Sequence, residues 1–380
     1  MVSPSVRKLS ERKMEEEERG KLSLAYPMNS GDGPYSYANT SVSQRVVIDF
    51  TKELVQKEVA EKLDIGFSST SPPKAFSIAD LGCSVGPNTF SAVENIIEAV
   101  ELKFESEGLA SKIPEFQVFF NDHTSNDFNM LFKNIPPIRR YYAAGVPGSF
   151  YSRIFPEASL HFVHSSFSIH WLSQVPKEVI DKSSPAWNKG RVYYSNSPDE
   201  VIKAYKAQYE KDMEELLQAR AQEVVCGGLM VFIILGIANG VNPFEAGGNR
   251  GFDLIGSCLM DMVKKGIVSE EKVDSFNIPT YLMTPQEFEA AVKRNGSFSA
   301  ERIEVLPHVK VNGASLNAHQ LTYCVRSTLG QLIKQEFGEE IVDELFDLYL
   351  KKLEEIDPSS IAEAEKTISF LAVLKRKPSQ

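Results

Sequence analysis

Cysteine is scarce in this sequence and widely scattered. Its four residues, Cys83, Cys226, Cys258 and Cys324, form no CxxC pair. Neither a zinc framework nor a disulfide lattice is expected, and free thiols in a reducing compartment are. Positive charge is also short: 41 Lys and Arg face 51 Asp and Glu, for a formal net charge of −10. Nucleic-acid binding wants a basic stripe. The one short basic patch is Lys375–Lys377, so no nucleic-acid partner is expected. Long apolar runs are missing as well. No stretch reaches the roughly 18 residues of a membrane-crossing helix, and the N-terminus lacks the apolar core of a signal peptide. A soluble, cytoplasmic chain with no membrane partner is the expectation. Internal repeats and low-complexity tracts are absent, and so is the GxGxxG loop of dinucleotide enzymes.

What is present suits a large globular domain. Of the 380 residues, 42% are hydrophobic and 10% aromatic, enough for a sizeable core and, at this length, for a substantial second lobe. Residues 1–27 open with a charge-dense stretch that includes Glu15–Arg19, and disorder is expected there. Met28–Ser41 is rich in turn formers and reads as a loop, although Tyr35 and Tyr37 are unusual residues for an idle linker. Gln44–Leu63 shows helical spacing. Short apolar runs then follow at Phe76–Leu81, Phe116–Phe120, Tyr141–Val146, Leu160–Val163, Leu229–Leu235, Ile303–Leu306 and Ile368–Leu374. Helical stretches lie between most of them, among them Asn88–Phe104, Pro198–Val225, Leu316–Glu336 and Glu339–Glu354. That alternation predicts an α/β fold with a mostly parallel sheet and helices on both faces. Asn239–Asn295 breaks the rhythm with glycine-rich loop and helix, as part of a lid would.

The most informative segment is Ile78–Asn88, IADLGCSVGPN. It joins a strand to a helix through Gly82 and Gly86, where the lack of Cβ lets backbone approach a ligand. The spacing is GxxxG and the helix opens on Pro87, which lacks one anion-binding N–H. A phosphate-free adenosyl ligand fits that better than a dinucleotide, although a purely structural tight turn would also account for it. The second strand candidate ends at Asn121-Asp122, and a carboxylate there can chelate ribose hydroxyls. Taken alone, Asp122 could equally be a cap or turn residue. The third runs into Pro147-Gly148-Ser149-Phe150, a turn able to set an aromatic ring beside adenine.

Six blocks together make the sequence resemble the plant SABATH methyltransferases. They are MNSGDGPYSYANTSVSQR at 28–45, ADLGCSVGPNTF at 79–90, FFNDHTSNDFNMLF at 119–132, GVPGSFYSRIFP at 145–156, HFVHSSFSIHWLSQVP at 161–176 and DSFNIPTY at 274–281. The resemblance implies a Rossmann-like class I methyltransferase core with an α-helical cap. The domain would span 28–380, with cap elements within 177–215 and 239–300 and near the C-terminal helices. Tyr37, Gly82, Cys83, Asn88, Asp122, His123, Ser149 and Phe150 would surround S-adenosylmethionine, Asp122 on the ribose and Phe150 on the adenine. Gln44 and Trp171 would hydrogen-bond a substrate carboxylate, with His170 at a position that varies with substrate. Asn188, Asp274, Phe276 and Asn277 match a magnesium-associated site of some members, Phe276 through its carbonyl. A homodimer is implied too. In one departure, Phe167 stands where many members have Tyr.

The chemistry is consistent with those residues. A carboxylic acid with a pKa near about 4 is ionised at neutral pH, and the thioether leaving group needs no proton, so alignment is the main requirement. Gln44 and the Trp171 N–H are uncharged donors that would fix a carboxylate without quenching it as Arg would. The expected function is therefore methyl transfer to the carboxylate of a small plant metabolite, closest in its motifs to enzymes of terpenoid acids such as loganate or farnesoate. N-methylation of a xanthine is the alternative. An oxidoreductase on this core would need the missing GxGxxG loop, and a non-catalytic relative would be expected to lose Gln44, Trp171 or Asp122. His170 could still be an ordinary core histidine, and Asp274 with Asn277 mere loop capping.

Overall fold

The computed structural model describes residues 26–66, 74–308, 310–311, 313–314, 316–356 and 366–378. Up to residue 25, the N-terminal stretch expected to be disordered lies outside the described residues. Tyr26, the first described residue, is buried.

The chain opens with a short helix α1 (Tyr37–Thr40) and the longer α2 (Val42–Lys62). Met28–Ser41 is thus not all loop: the Thr40 hydroxyl donates to Ser36 O at 3.0 Å and to Ser327 Oγ at 2.6 Å, which closes the extra turn. Next come β1 (Ala75–Leu81), α3 (Pro87–Ser106), β2 (Glu115–Asp122), α4 (Phe128–Lys133), β3 (Tyr141–Pro147) and β4 (Leu160–Ser166). Helix α5 (Asp199–Glu223) leads into β5 (Val224–Ile237). After it lie α6 (Gly247–Lys264), α7 (Glu270–Ser275), α8 (Pro285–Asn295) and β6 (Phe298–Val305). Helices α9 (Ala318–Phe337) and α10 (Val342–Glu355) precede β7 (Thr367–Arg376).

The strands form one seven-stranded sheet in the order β3-β2-β1-β4-β5-β7-β6. The first five are parallel, and β7 runs antiparallel between β5 and β6. Strand order reverses on either side of β1, and in open α/β sheets ligands bind at the carboxyl ends beside such a switch point.

Alternation along β1 divides the interior. Phe76 and Ile78 face a cluster shared with Val47, Val55 and Val59 of α2 and Phe90, Val93, Ile97, Val100 and Phe104 of α3. Ala79 and Leu81 face the opposite cluster, which runs through Leu216 of α5, Leu259 of α6, Phe288 of α8, Ile333 of α9 and Leu345 of α10. Each such buried aliphatic or Phe side chain stabilises by roughly 1.5–3 kcal/mol. This second cluster joins the sheet to the helices expected to form the cap, so among the described residues no separate core marks a domain border.

Candidate active site

At the carboxyl ends of β1 to β4 lies a cavity with about 620 Å³ of empty space, part of it open solvent. Of the residues expected to bind cofactor or substrate, Tyr37, Gly82, Asp122, His123, Phe150 and Trp171 line it; Gln44, Cys83, Asn88, Ser149 and His170 do not.

Asp122 ends β2 and faces the turn after β1. Its Oδ2 accepts the Ser84 N–H at 2.8 Å and its Oδ1 the His123 N–H at 2.7 Å. Desolvation in the cavity wall raises its pKa, against the lowering effect of those two N–H groups. Desolvation lowers that of His123, against the pull of Asp122. A carboxylate has about four acceptor sites, so after two backbone contacts Asp122 can still hold a pair of vicinal hydroxyls.

The glycines of the turn answer chiefly to packing. Gly82 has φ +79°, and a Cβ on it would sit 2.4 Å from the Cβ of Ser168. A Cβ on Gly86 would come within 3.3 Å of Ala38 Cα in α1. Between them Ser84 takes φ +52°, and Phe167 at the end of β4 takes φ +54°. Both line the cavity. Left-handed backbone in a bulky aromatic residue is strained, and such strain gathers at functional sites. Beneath the turn, Asp80 accepts from the Thr89 hydroxyl and bonds His164 Nδ1 at 2.7 Å, pinning β1 to α3 and β4.

Three further residues implied by resemblance to touch the cofactor make internal contacts. Asn88 donates to Ser41 O and Oγ, both at 3.0 Å, and accepts from Arg45 Nε at 3.1 Å, which ties the start of α3 to α2. The Cys83 thiol bonds Ser84 O at 3.5 Å, and burial pushes its pKa well up, so it stays a neutral thiol. Ser149 Oγ accepts the Tyr151 N–H at 3.3 Å.

The Trp171 backbone is held on several sides. Its N–H donates to Ser168 O at 3.0 Å, its carbonyl accepts the Tyr151 hydroxyl at 2.6 Å, and it bridges to Thr280. Two residues on, Ser173 gives its N–H and hydroxyl to the Asp212 carboxylate at 2.8 and 2.6 Å. Burial pushes Asp212 up to about 6, although those same hydrogen bonds pull it down. Beside Trp171, His170 is 6% exposed and burial lowers its pKa to about 4, so its imidazole is neutral at physiological pH. Gln44 Oε1 is buried without a hydrogen-bond partner. The two ends of an amide are interchanged by a flip, which would present Nε2 in its place.

The loop after β3, which carries Phe150 and Tyr151 into the cavity, is fixed by a fully buried ion pair. Arg220 donates to Phe150 O at 2.8 Å and Ser152 O at 2.9 Å, and pairs with Glu223 at 2.6 Å. Glu223 in turn accepts the N–H groups of Ile154 at 2.6 Å and Phe155 at 2.9 Å. Sequence reasoning missed this pair, and also Tyr26, Tyr151, Ser168 and Asp212. The one signal available for Tyr26, Tyr151 and Ser168 was their fall inside or beside matching blocks; Asp212, Arg220 and Glu223 gave none.

Asn188, Asp274, Phe276 and Asn277 are brought together in the second cluster. Asn188 Nδ2 donates to Asn277 Oδ1 at 2.7 Å, Asn188 Oδ1 accepts from Ser197 at 2.7 Å, and Asp274 Oδ1 accepts the Gly190 N–H at 2.7 Å. Asn277 Nδ2 is buried without a partner. Among the described residues no group of three or more His, Cys, Asp or Glu could hold a metal ion.

A mostly parallel sheet in this order, with a glycine turn ending β1 and a cavity-lining carboxylate ending β2, is the arrangement of an S-adenosylmethionine-dependent methyltransferase. Comparison with known proteins narrows the class. The family model described as SAM-dependent carboxyl methyltransferase matches residues 23–377. A loganic acid O-methyltransferase of Catharanthus roseus is 46% identical over 93% of this chain and 95% of its own length. A farnesoic acid carboxyl-O-methyltransferase of Arabidopsis thaliana is 40% identical over 93% and 100%. The solved structure of a loganic acid methyltransferase with S-adenosylhomocysteine matches with a TM-score of 0.87 at 44% identity, covering 93% of this chain and 99% of that one. The chain belongs to the SABATH family of S-adenosylmethionine-dependent carboxyl methyltransferases. It transfers the methyl group of S-adenosylmethionine to a carboxylate.

Proposed function

We propose that the acceptor is a terpenoid or iridoid acid of the loganate or farnesoate kind, or a hormone acid, and that the enzyme works by positioning it, with no general base. The carrying observation is the lack of charge at the acid end of the cavity. Among the described residues no Lys or Arg lines it, Trp171 offers a neutral N–H, and adjacent His170 is held neutral by burial. A carboxylate arrives ionised and needs only orientation; a xanthine N–H would need a base. The similarity to loganic and farnesoic acid enzymes supports the same reading.

S-adenosylmethionine supplies a methyl group activated on a sulfonium. In this reading Asp122 holds the ribose, Phe150 packs on the adenine, and Gln44 and the Trp171 indole hold the acid in line. Trp171→Phe keeps the ring and deletes one donor. We expect kcat/KM for the acid to fall roughly ten- to a hundredfold, about 1.4–2.8 kcal/mol, with cofactor affinity unchanged. A variant as active as wild type on every acid, with a xanthine the better substrate, would make the enzyme an N-methyltransferase.

The oxygens of Asn188, Asp274, Asn277 and the Phe276 carbonyl suit a hard divalent cation such as magnesium, and the buried Asp274 carboxylate would supply the negative charge that such an ion needs. Such an ion would order the cap without entering methyl transfer. Chelation should then lower the melting temperature, and a melting curve indifferent to chelator would reduce the four to loop packing. The homodimer implied by resemblance and the cytoplasmic location expected from the sequence are proposals as well, open to sedimentation and to imaging of a tagged chain.

A further inference from the structure

Two buried polar atoms flank the Trp171 indole, and no described residue satisfies either. On one side Tyr26 stacks on the indole with ring centroids 5.9 Å apart and planes at 26°. Tyr26 is 7% exposed and its hydroxyl is buried without a partner. The His170 ring lies 6.1 Å from the same indole, and its Nδ1 is buried without a partner. Buried polar atoms are nearly always hydrogen-bonded, and an exception needs a reason. Tyr141 Oη and Trp187 Nε1 share that state without lining the cavity, so the lack of a partner alone marks no site. Place is what distinguishes Tyr26: it borders the Trp171 indole and both line the cavity wall, whereas His170 adjoins the indole from outside that lining.

Their chemistry matches a neutral partner better than a charged one. The Tyr26 phenol is kept protonated by burial, and His170 is neutral, so neither brings charge to a carboxylate already provided for by Gln44 and the Trp171 N–H. A phenol donates and accepts, and a neutral imidazole does one at each nitrogen. A hydroxyl group answers both, whereas a hydrocarbon displaces any water serving these atoms and leaves them bare.

We propose that the acid methylated here bears hydroxyl groups besides its carboxylate, and that Tyr26, in the cavity wall, hydrogen-bonds one of them beside Trp171. This rests on the carboxyl-methylation reading and names the substrate class within it.

The test uses the intact chain, S-adenosylmethionine, and a panel of hydroxylated acids, including loganate and salicylate, set against farnesoate. A hydroxylated acid should be preferred. Tyr26→Phe keeps the stacking and removes the hydroxyl. It should lower kcat/KM for the favoured hydroxylated acid by roughly ten- to a hundredfold, mainly through KM, and leave farnesoate unchanged. The free variant should melt no lower than wild type, because the hydroxyl has no partner among the described residues to lose. An equal fall on both kinds of acid, no fall, or a clearly lower melting temperature gives the hydroxyl a structural role and overturns the proposal. Preference for farnesoate over every hydroxylated acid overturns it and leaves carboxyl methylation standing. N-methylation of a xanthine with no acid esterified removes both.

Discussion

The two sides of the cavity are built differently. The wall at the ends of β1 and β2 is made of backbone groups already committed: Asn121 O receives the N–H groups of Gly82 and Cys83, and Asp122 receives those of Ser84 and His123. The wall around Trp171 is made of rings. Tyr193, Tyr194, Tyr205, Tyr209 and Tyr281 stack or tilt against one another behind it, and Tyr26 and His170 keep unpaired polar atoms. A rigid, satisfied wall suits a ligand that never changes. A wall of rings with spare hydrogen-bonding capacity can be retuned by one side chain without disturbing the fold.

That contrast can be broken most forcefully at the joint between the walls. Arg220→Met strands Glu223 as an unpaired charge in the interior and frees the loop carrying Phe150 and Tyr151. Breaking a buried pair from one side costs about 3–5 kcal/mol. Denaturant unfolding should show a loss of that size, and a loss below about 1 kcal/mol would mean that other contacts hold the loop.

Next in size is the committed wall itself. Asp122→Ala removes the carboxylate proposed to hold the ribose and the two backbone contacts that shape the turn. Cofactor affinity should fall by about 3 kcal/mol, roughly 150-fold. Calorimetry on the folded variant gives the answer, and unchanged affinity would take Asp122 out of the site.

The smallest effect sharpens the aromatic wall. His170 has a folded pKa of about 4, lowered by burial from the usual 6.5. Between those values the unfolded chain takes up a proton that the folded chain refuses. The contribution of His170 to stability is therefore complete above about pH 6.5 and is lost as pH falls towards 4. Comparison with His170→Gln isolates it: the stability difference between the two proteins should shift by about 2 kcal/mol against wild type from pH 7 to pH 5. Over pH 6–9 the methylation rate of wild type should stay flat, since the imidazole does not titrate there. A rate that rises through pH 6.5 would show His170 charging in the working enzyme.

Much of this was legible in the sequence because it is local. Each of the seven apolar runs lies within or overlaps a strand, and the α/β alternation dictated the parallel sheet. Strand ends were underestimated where polar residues continue the ladder, as at Asn121 and Asp122, and β5 extends beyond its apolar run through Val224–Gly228. Asp122 and Phe150 lie where a glycine turn and a strand end should place them. The clamps were not legible, because Arg220 and Phe150 are 70 residues apart and nothing in either neighbourhood announces the other. Tyr26 was hidden by the charged stretch before it. Gly82 and Gly86 were read for their lack of a Cβ, and the structure adds that Ser168 and Ala38 occupy the space where one would be.

The position of β7 has a consequence for the birth of the protein. The last described strand of the chain occupies an interior place in the sheet, between β5 and β6. Until the ribosome has made it, the almost wholly apolar β5 offers an open edge, and open apolar edges invite wrong partners. Roughly 130 residues separate the end of β5 from the start of β7, so at ordinary translation speed that edge waits on the order of ten seconds. The nascent chain would be most vulnerable in that interval, and a ribosome stalled before residue 367 would release a sheet with β5 unpaired on one side.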